Sequence, residues 1–75
     1  MATQELLDLS LERATSLNSR YGGMASIKLE WHPYECEWVT AASWSSGKTF
    51  QTHNKSVENS IVELCYLLWA DRGLK

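Results

Sequence analysis

The chain is short of the features that usually announce a function. It has one proline and four glycines in 75 residues, with no linker, low-complexity tract or internal repeat, so it reads as a single domain spanning residues 1–75. Cys36 and Cys65 are its two cysteines. Without a signal peptide they read as free thiols of a reducing compartment, which makes the cytoplasm the expected location. The start "MATQELLDLSLERA" is acidic and periodic and lacks a basic region followed by a continuous apolar one, so it is not a targeting segment. The greasiest run, Ile61 to Ala70, is interrupted by Glu63 and falls short of the ~20 residues a membrane span requires. Basic charge is also scarce: seven Lys and Arg stand against nine Asp and Glu, giving a net charge of -2 and a pI near 5.6. Such a balance gives no bulk attraction to polyanions.

What is present is apolar surface. Hydrophobic residues make up 44% of the chain and charged ones 21%, a globular composition. A domain this small buries only about 60% of the surface of its unfolded chain, so its core is marginal. The predicted fold is α+β in the order α-β-β-β-α, a three-stranded antiparallel sheet with two helices packed on one face. Thr3 is placed to cap a first helix from Gln4 to the "RYGG" stop, with Leu6, Leu7, Leu11, Ala14 and Leu17 on one stripe, Ser10 and Asn18 among them, and Glu5, Asp8 and Glu12 on the outer face. "SIKLEW" alternates as a strand, with Ile27, Leu29 and Trp31 pointing inward. After the break at His32-Pro33, "YECEWVTAASW" alternates again. Tyr34, Cys36, Trp38, Thr40, Ala42 and Trp44 share the inward parity, and Glu35, Glu37, Val39 and Ala41 the outward one. "SSG" turns into a short third strand, "KTFQT", with Phe50 inward. Ser56 caps the last helix, Glu58 sits in its first turn, and Arg72-Gly73 forms its stop.

In that last helix Val57, Ile61, Leu64, Cys65 and Leu68 form a central stripe that covers the sheet. Val62 and Trp69 fall on one shoulder, Leu67 on the other, and Tyr66 points nearly opposite. A single small core does not use all of that surface.

No constellation carries catalysis. His32, Cys36, His53 and Cys65 are of the types zinc favours, but their spacing matches no zinc motif and both cysteines fall on inward faces, so neither metal nor cofactor is expected. Glu35 and Glu37 share an outward strand face, where the role of paired carboxylates is solvation. "SSGKT", residues 45–49, contains Gly-Lys-Thr, but position 42 is Ala where a phosphate-binding loop needs its first Gly. The expected protein is not an enzyme.

The order of elements, together with "HPY" at 32–34 and "NKSVENS" at 54–60, resembles the double-stranded-RNA-binding domain. In that family a Gly-Pro-x-His loop and a Lys-Lys-x-Ala-Lys helix start occupy those places. The resemblance implies contact with nucleic acid through Lys28, Lys48 and Lys55, with His32 nearby. The chain departs from it in offering one lysine, Lys55, at the last helix and an acidic outer face on the first.

The residues themselves favour a different expectation: a small regulator or inhibitor that works by protein–protein contact, associating with itself as a homodimer, of the kind phages use as accessory proteins. Trp44, Val62, Tyr66, Leu67 and Trp69 are its expected contact residues, since large aromatics dominate interface energetics. Acidic surface from Glu5, Asp8, Glu12, Glu30, Glu35 and Glu37 is expected to steer a basic partner.

Overall fold

The computed structural model describes residues 2–71. Helix α1 runs Thr3–Ser16, one residue earlier than expected. Ala2 occupies the cap position with extended backbone and no side-chain hydrogen bond, so Thr3 is the first helical residue and not the cap. Leu17 leaves helical geometry at φ -94° and ψ -2°, separating α1 from the single turn α2, Asn18–Tyr21. Gly22 and Gly23 follow at φ 71° and 77° and reverse the chain into the sheet. Gly23 is required for a second reason: a Cβ there would stand 1.9 Å from Ser45 Oγ. That space allows the close approach in which Met24 N–H donates to Ser45 Oγ at 3.1 Å and Ser45 N–H donates to Met24 O at 3.3 Å.

Three antiparallel strands, β1 (Ala25–His32), β2 (Glu37–Trp44) and β3 (Thr49–Asn54), lie in the order β1-β2-β3, which leaves β1 and β3 as the two edges. On the face toward the helices the register stacks Ile27 beside Ala42 and Phe50, then Leu29 beside Thr40 and Thr52, then Trp31 beside Trp38 and Asn54. On the other face Glu30, Val39 and His53 form one row, and Lys28, Ala41 and Gln51 the next.

The second strand is shorter than its alternation implies. Residues 33–36 form the turn between β1 and β2, so Tyr34 is 98% exposed and Cys36 is also exposed; neither is inward. The physical reason is local. Pro33 has no N–H to give a ladder, and Cys36 sits at φ 53°, which ends strand geometry, with its thiol donating to Pro33 O at 3.3 Å.

Helix α3 spans Val57–Asp71, and the Arg72-Gly73 stop lies outside the described residues. Ser56 caps it as expected: Asn59 N–H donates to Ser56 Oγ at 3.3 Å, while Asn54 Oδ1 accepts from Ser56 N–H at 2.9 Å and fixes the corner. Helices α1 and α3 run side by side in the same direction, since Ser10 meets Cys65, Arg13 meets Trp69 and Tyr21 meets Asp71. Both pack on one face of the sheet, α1 against β1 and α3 against β2 and β3. Ile61, Leu64 and Leu68 are fully buried there with Ala14, Leu17, Ala42 and Trp44. Leu11, placed on the buried stripe by periodicity, is 40% exposed because α1 turns toward Leu6, Ser10 and Ala14 instead.

Part of the core is polar. Ser60 Oγ and Thr40 Oγ1 share a hydrogen bond of 2.8 Å, and Thr52 Oγ1 donates to Ser60 O at 2.6 Å. Buried hydroxyls cost little only when paired, and these are paired with one another and with strand carbonyls across the α3–sheet joint.

Candidate functional site

The helix layer has an outer surface that the sheet does not reach. Between α1 and α3 runs a groove of ≈ 160 Å³ lined by Leu6, Leu9, Arg13, Val62, Cys65, Tyr66 and Trp69. Its floor is Cys65, whose Sγ lies 2.9 Å from Ser10 Oγ in the buried seam between the helices. Its walls are built by helical spacing, with Leu6, Leu9 and Arg13 three and four residues apart on α1, and Val62, Tyr66 and Trp69 likewise on α3. Arg13 closes one end: its guanidinium lies 5.0 Å from the centre of the Trp69 ring, and its Nε is buried with no acceptor among the described residues.

Four of the five expected contact residues are at this helical surface. Tyr66 is 64% exposed and Leu67 38%, while Val62 and Trp69 are half-buried along the groove. Leu67 faces away from the groove on the opposite shoulder of α3. Trp44 is elsewhere. At 3% exposure it belongs to the core, where Tyr21 and Phe50 meet its ring edge to face at 5.0 and 5.8 Å, so it is not a surface anchor. Its place near a polar turn suggested access, but α2 delivers Tyr21 onto it. Trp31 departs the other way. It lies on the edge strand at the end of the sheet, 47% exposed, and packs on Trp38 at 5.3 Å instead of under the helices.

The carboxylates divide into two sets. On the outer sheet face and in the β1–β2 turn beside it, where Glu35 lies, each has a partner: Lys28 Nζ lies 2.9 Å from Glu30, His32 lies 3.3 Å from Glu30 and 3.8 Å from Glu35, and His53 Nδ1 lies 3.0 Å from Glu37. The hydrogen bond from Lys28, seconded by His32, holds the Glu30 carboxyl below the usual range and the Lys28 ammonium above its own. On α1, Glu5, Asp8 and Glu12 are exposed and make no ion pair within the described residues; Asp8 accepts only an amide hydrogen bond from Gln4 at 3.0 Å.

The residues considered for other chemistry are dispersed. Cys65 is in the helix seam, Cys36 in the β1–β2 turn, and His32 and His53 are bound to carboxylates on the outer sheet face. Among the described residues no group of three or more His, Cys, Asp and Glu could hold a metal ion. "SSGKT" is the β2–β3 turn and the start of β3, with no helix to receive a phosphate. Lys28 is on the outer sheet face, Lys48 lies over the Tyr21 and Phe50 rings at 5.2 and 4.9 Å, and Lys55 follows β3 at the opposite end from Lys48. The six residues of β3 separate those two lysines by roughly 20 Å. No helix among the described residues is long and apolar enough to cross a membrane.

Sequence reasoning missed Leu9 and Arg13 as groove residues. The signal was present in the spacing Leu6, Leu9, Arg13, a second edge beside the main stripe of α1. Comparisons with protein-family models, with curated proteins and with solved structures find no match to this chain.

Proposed function

We propose that the protein works by binding another protein through the α1–α3 surface and performs no chemistry of its own. One observation carries the reading: Tyr66, Val62 and Trp69 remain uncovered or half-covered around a groove that the chain's own sheet and helices leave open. Rings and aliphatic side chains gathered around a groove are the composition of an interface centre, with charged groups at its rim. The same surface explains why α3 carries more apolar residues than its sheet-facing side uses.

Photo-crosslinking in the native host tests the assignment. A benzoylphenylalanine replacing Tyr66 is expected to give a discrete adduct of higher mass, and the same group replacing Gln51 on the outer sheet face is expected to give none. Adducts from neither position, or equally from both, overturn the reading.

A further inference from the structure

The α1–α3 groove differs from an ordinary apolar patch in the charge around it. On α1, Glu5 and Glu12 flank Leu9 at helical spacing, four residues before it and three after, and Asp8 stands beside them. On α3, Glu58 lies one turn before Val62 on the groove side, and Glu63 stands on the far shoulder. None of the five makes an ion pair among the described residues, and the hydrogen bonds that Asp8 and Glu63 accept come from the neutral amides of Gln4 and Asn54. Among the described cations, Arg13 stands at one end of the groove itself with its guanidinium over Trp69, and the others lie outside its lining. Lys28 pairs with Glu30, Arg20 with Asp71, and Arg13 and Lys48 lie over aromatic rings. Among the described residues that leaves Lys55, at the β3–α3 corner. The groove is therefore an apolar slot, closed at one end by Arg13, between the carboxylate row Glu5, Asp8 and Glu12 on α1 and Glu58 on α3, none of which is in an ion pair among the described residues.

We infer that the occupant of this groove is a basic amphipathic segment of another protein, which seats one bulky apolar side chain between Leu9, Val62, Tyr66 and Trp69 and brings Lys or Arg against Glu5, Asp8, Glu12 and Glu58. The inference rests on the contact surface proposed above and names its partner. The groove volume of ≈ 160 Å³ fits one such anchor, since a cavity of about 150 Å³ accepts a benzene ring. Electrostatic complementarity then sets orientation and encounter rate, and the anchor sets residence time. A second copy of this chain is a poorer fit, because it would set Glu5, Asp8, Glu12 and Glu58 against the same carboxylates, and like charges across an interface are a device of exclusion.

Titration with designed peptides tests this. A helical peptide of about 15 residues, long enough to follow α1, carries a leucine stripe flanked by lysines. A second peptide keeps the stripe with glutamates in place of the lysines, and a third keeps the lysines with serines in place of the stripe. Binding is read from backbone amide shifts of the ¹⁵N-labelled protein. The lysine–leucine peptide is expected to shift Leu9, Val62, Tyr66 and Trp69. It is expected to bind at least about tenfold tighter than either control, and to lose about tenfold when salt rises from about 50 to about 300 mM. The combined variant Glu5→Gln, Asp8→Asn, Glu12→Gln, all exposed and free of ion pairs, is expected to weaken it comparably while leaving the free protein's spectrum dispersed. Equal binding of the acidic peptide, or a lysine–leucine peptide that shifts the outer sheet face instead, overturns the inference.

Light scattering separates the two claims. A dimer that Tyr66→Ser dissociates overturns the basic partner but leaves the groove a contact surface. Absence of any adduct from position 66 removes the surface itself.

Discussion

The two outer faces of this molecule, sheet and helix pair, are both lined with carboxylates, and they are finished to different degrees. On the sheet and its β1–β2 turn, Glu30, Glu35 and Glu37 each contact a polar side chain, Lys28, His32 or His53, and the one apolar side chain with real bulk, Val39, is 6% exposed beneath them. On the helices, Glu5, Glu12 and Glu58 have no answering cation among the described residues, and Tyr66 on the same layer is 64% exposed. Charge is common to both faces; the helix pair alone sets charge that is unpaired among the described residues next to apolar area left uncovered.

The greater stability cost falls at Val39. Replacing it with Ser removes methyl groups from a covered site and buries a hydroxyl, so Val39→Ser is expected to cost about 2 kcal/mol in denaturant unfolding, although the residue lies on the face away from the helices. Tyr66→Ser removes a far larger side chain from the helix face and is expected to change stability by no more than about 0.5 kcal/mol, because water already reaches most of the ring. Equal costs at the two positions would break the distinction between a finished face and an open one.

The smallest effect is in the pH profile. Glu30 has a depressed folded-state pKa, so its contribution is present above the ordinary value of 4.5 and is lost as pH falls through the lower folded value. Lys28 is raised, so the same pair contributes below 10.5 and is lost as pH rises through the higher folded value. Glu30→Gln is therefore expected to flatten the acid side of the stability curve below about pH 4.5 and to blunt the alkaline side above about pH 10.5. An unchanged profile would mean that the Lys28–Glu30 contact contributes nothing in solution.

Most of the fold was legible because it rests on periodicity. Ser56 caps α3, Ile61, Leu64 and Leu68 are buried toward the sheet while Cys65 faces the seam with α1 instead, and the helix, strand and turn order follows from where the period changes from 3.6 to 2. The errors fall where a period ends. Alternation through Tyr34 and Cys36 was continuous on paper, yet Pro33 and the left-handed backbone at Cys36 make those residues a turn. Burial at element ends was equally hidden: Trp44 is enclosed because α2 brings Tyr21 over it, and Trp31 is half open on the edge strand, with Trp38 as its ring partner. Tertiary placement decides both, and no local pattern encodes it.

The site was half legible. Val62, Tyr66, Leu67 and Trp69 stand out by rotation about the α3 axis, but a groove needs two helices, and the direction of α1 relative to α3 emerges only from the pairs Ser10–Cys65 and Arg13–Trp69. The buried hydroxyls Thr40, Thr52 and Ser60 gave no sign in a pattern read as apolar against polar.

The sheet ends at β1 on one side and β3 on the other, with backbone N–H and C=O groups facing outward along both margins. Margins of that kind invite extra strands, and many proteins discourage such growth with charged side chains and proline. Here Lys28, Glu30 and His32 sit along one border and Pro33 terminates it, so the ionic residues that complete the outer face also guard the chain against fibrillar stacking.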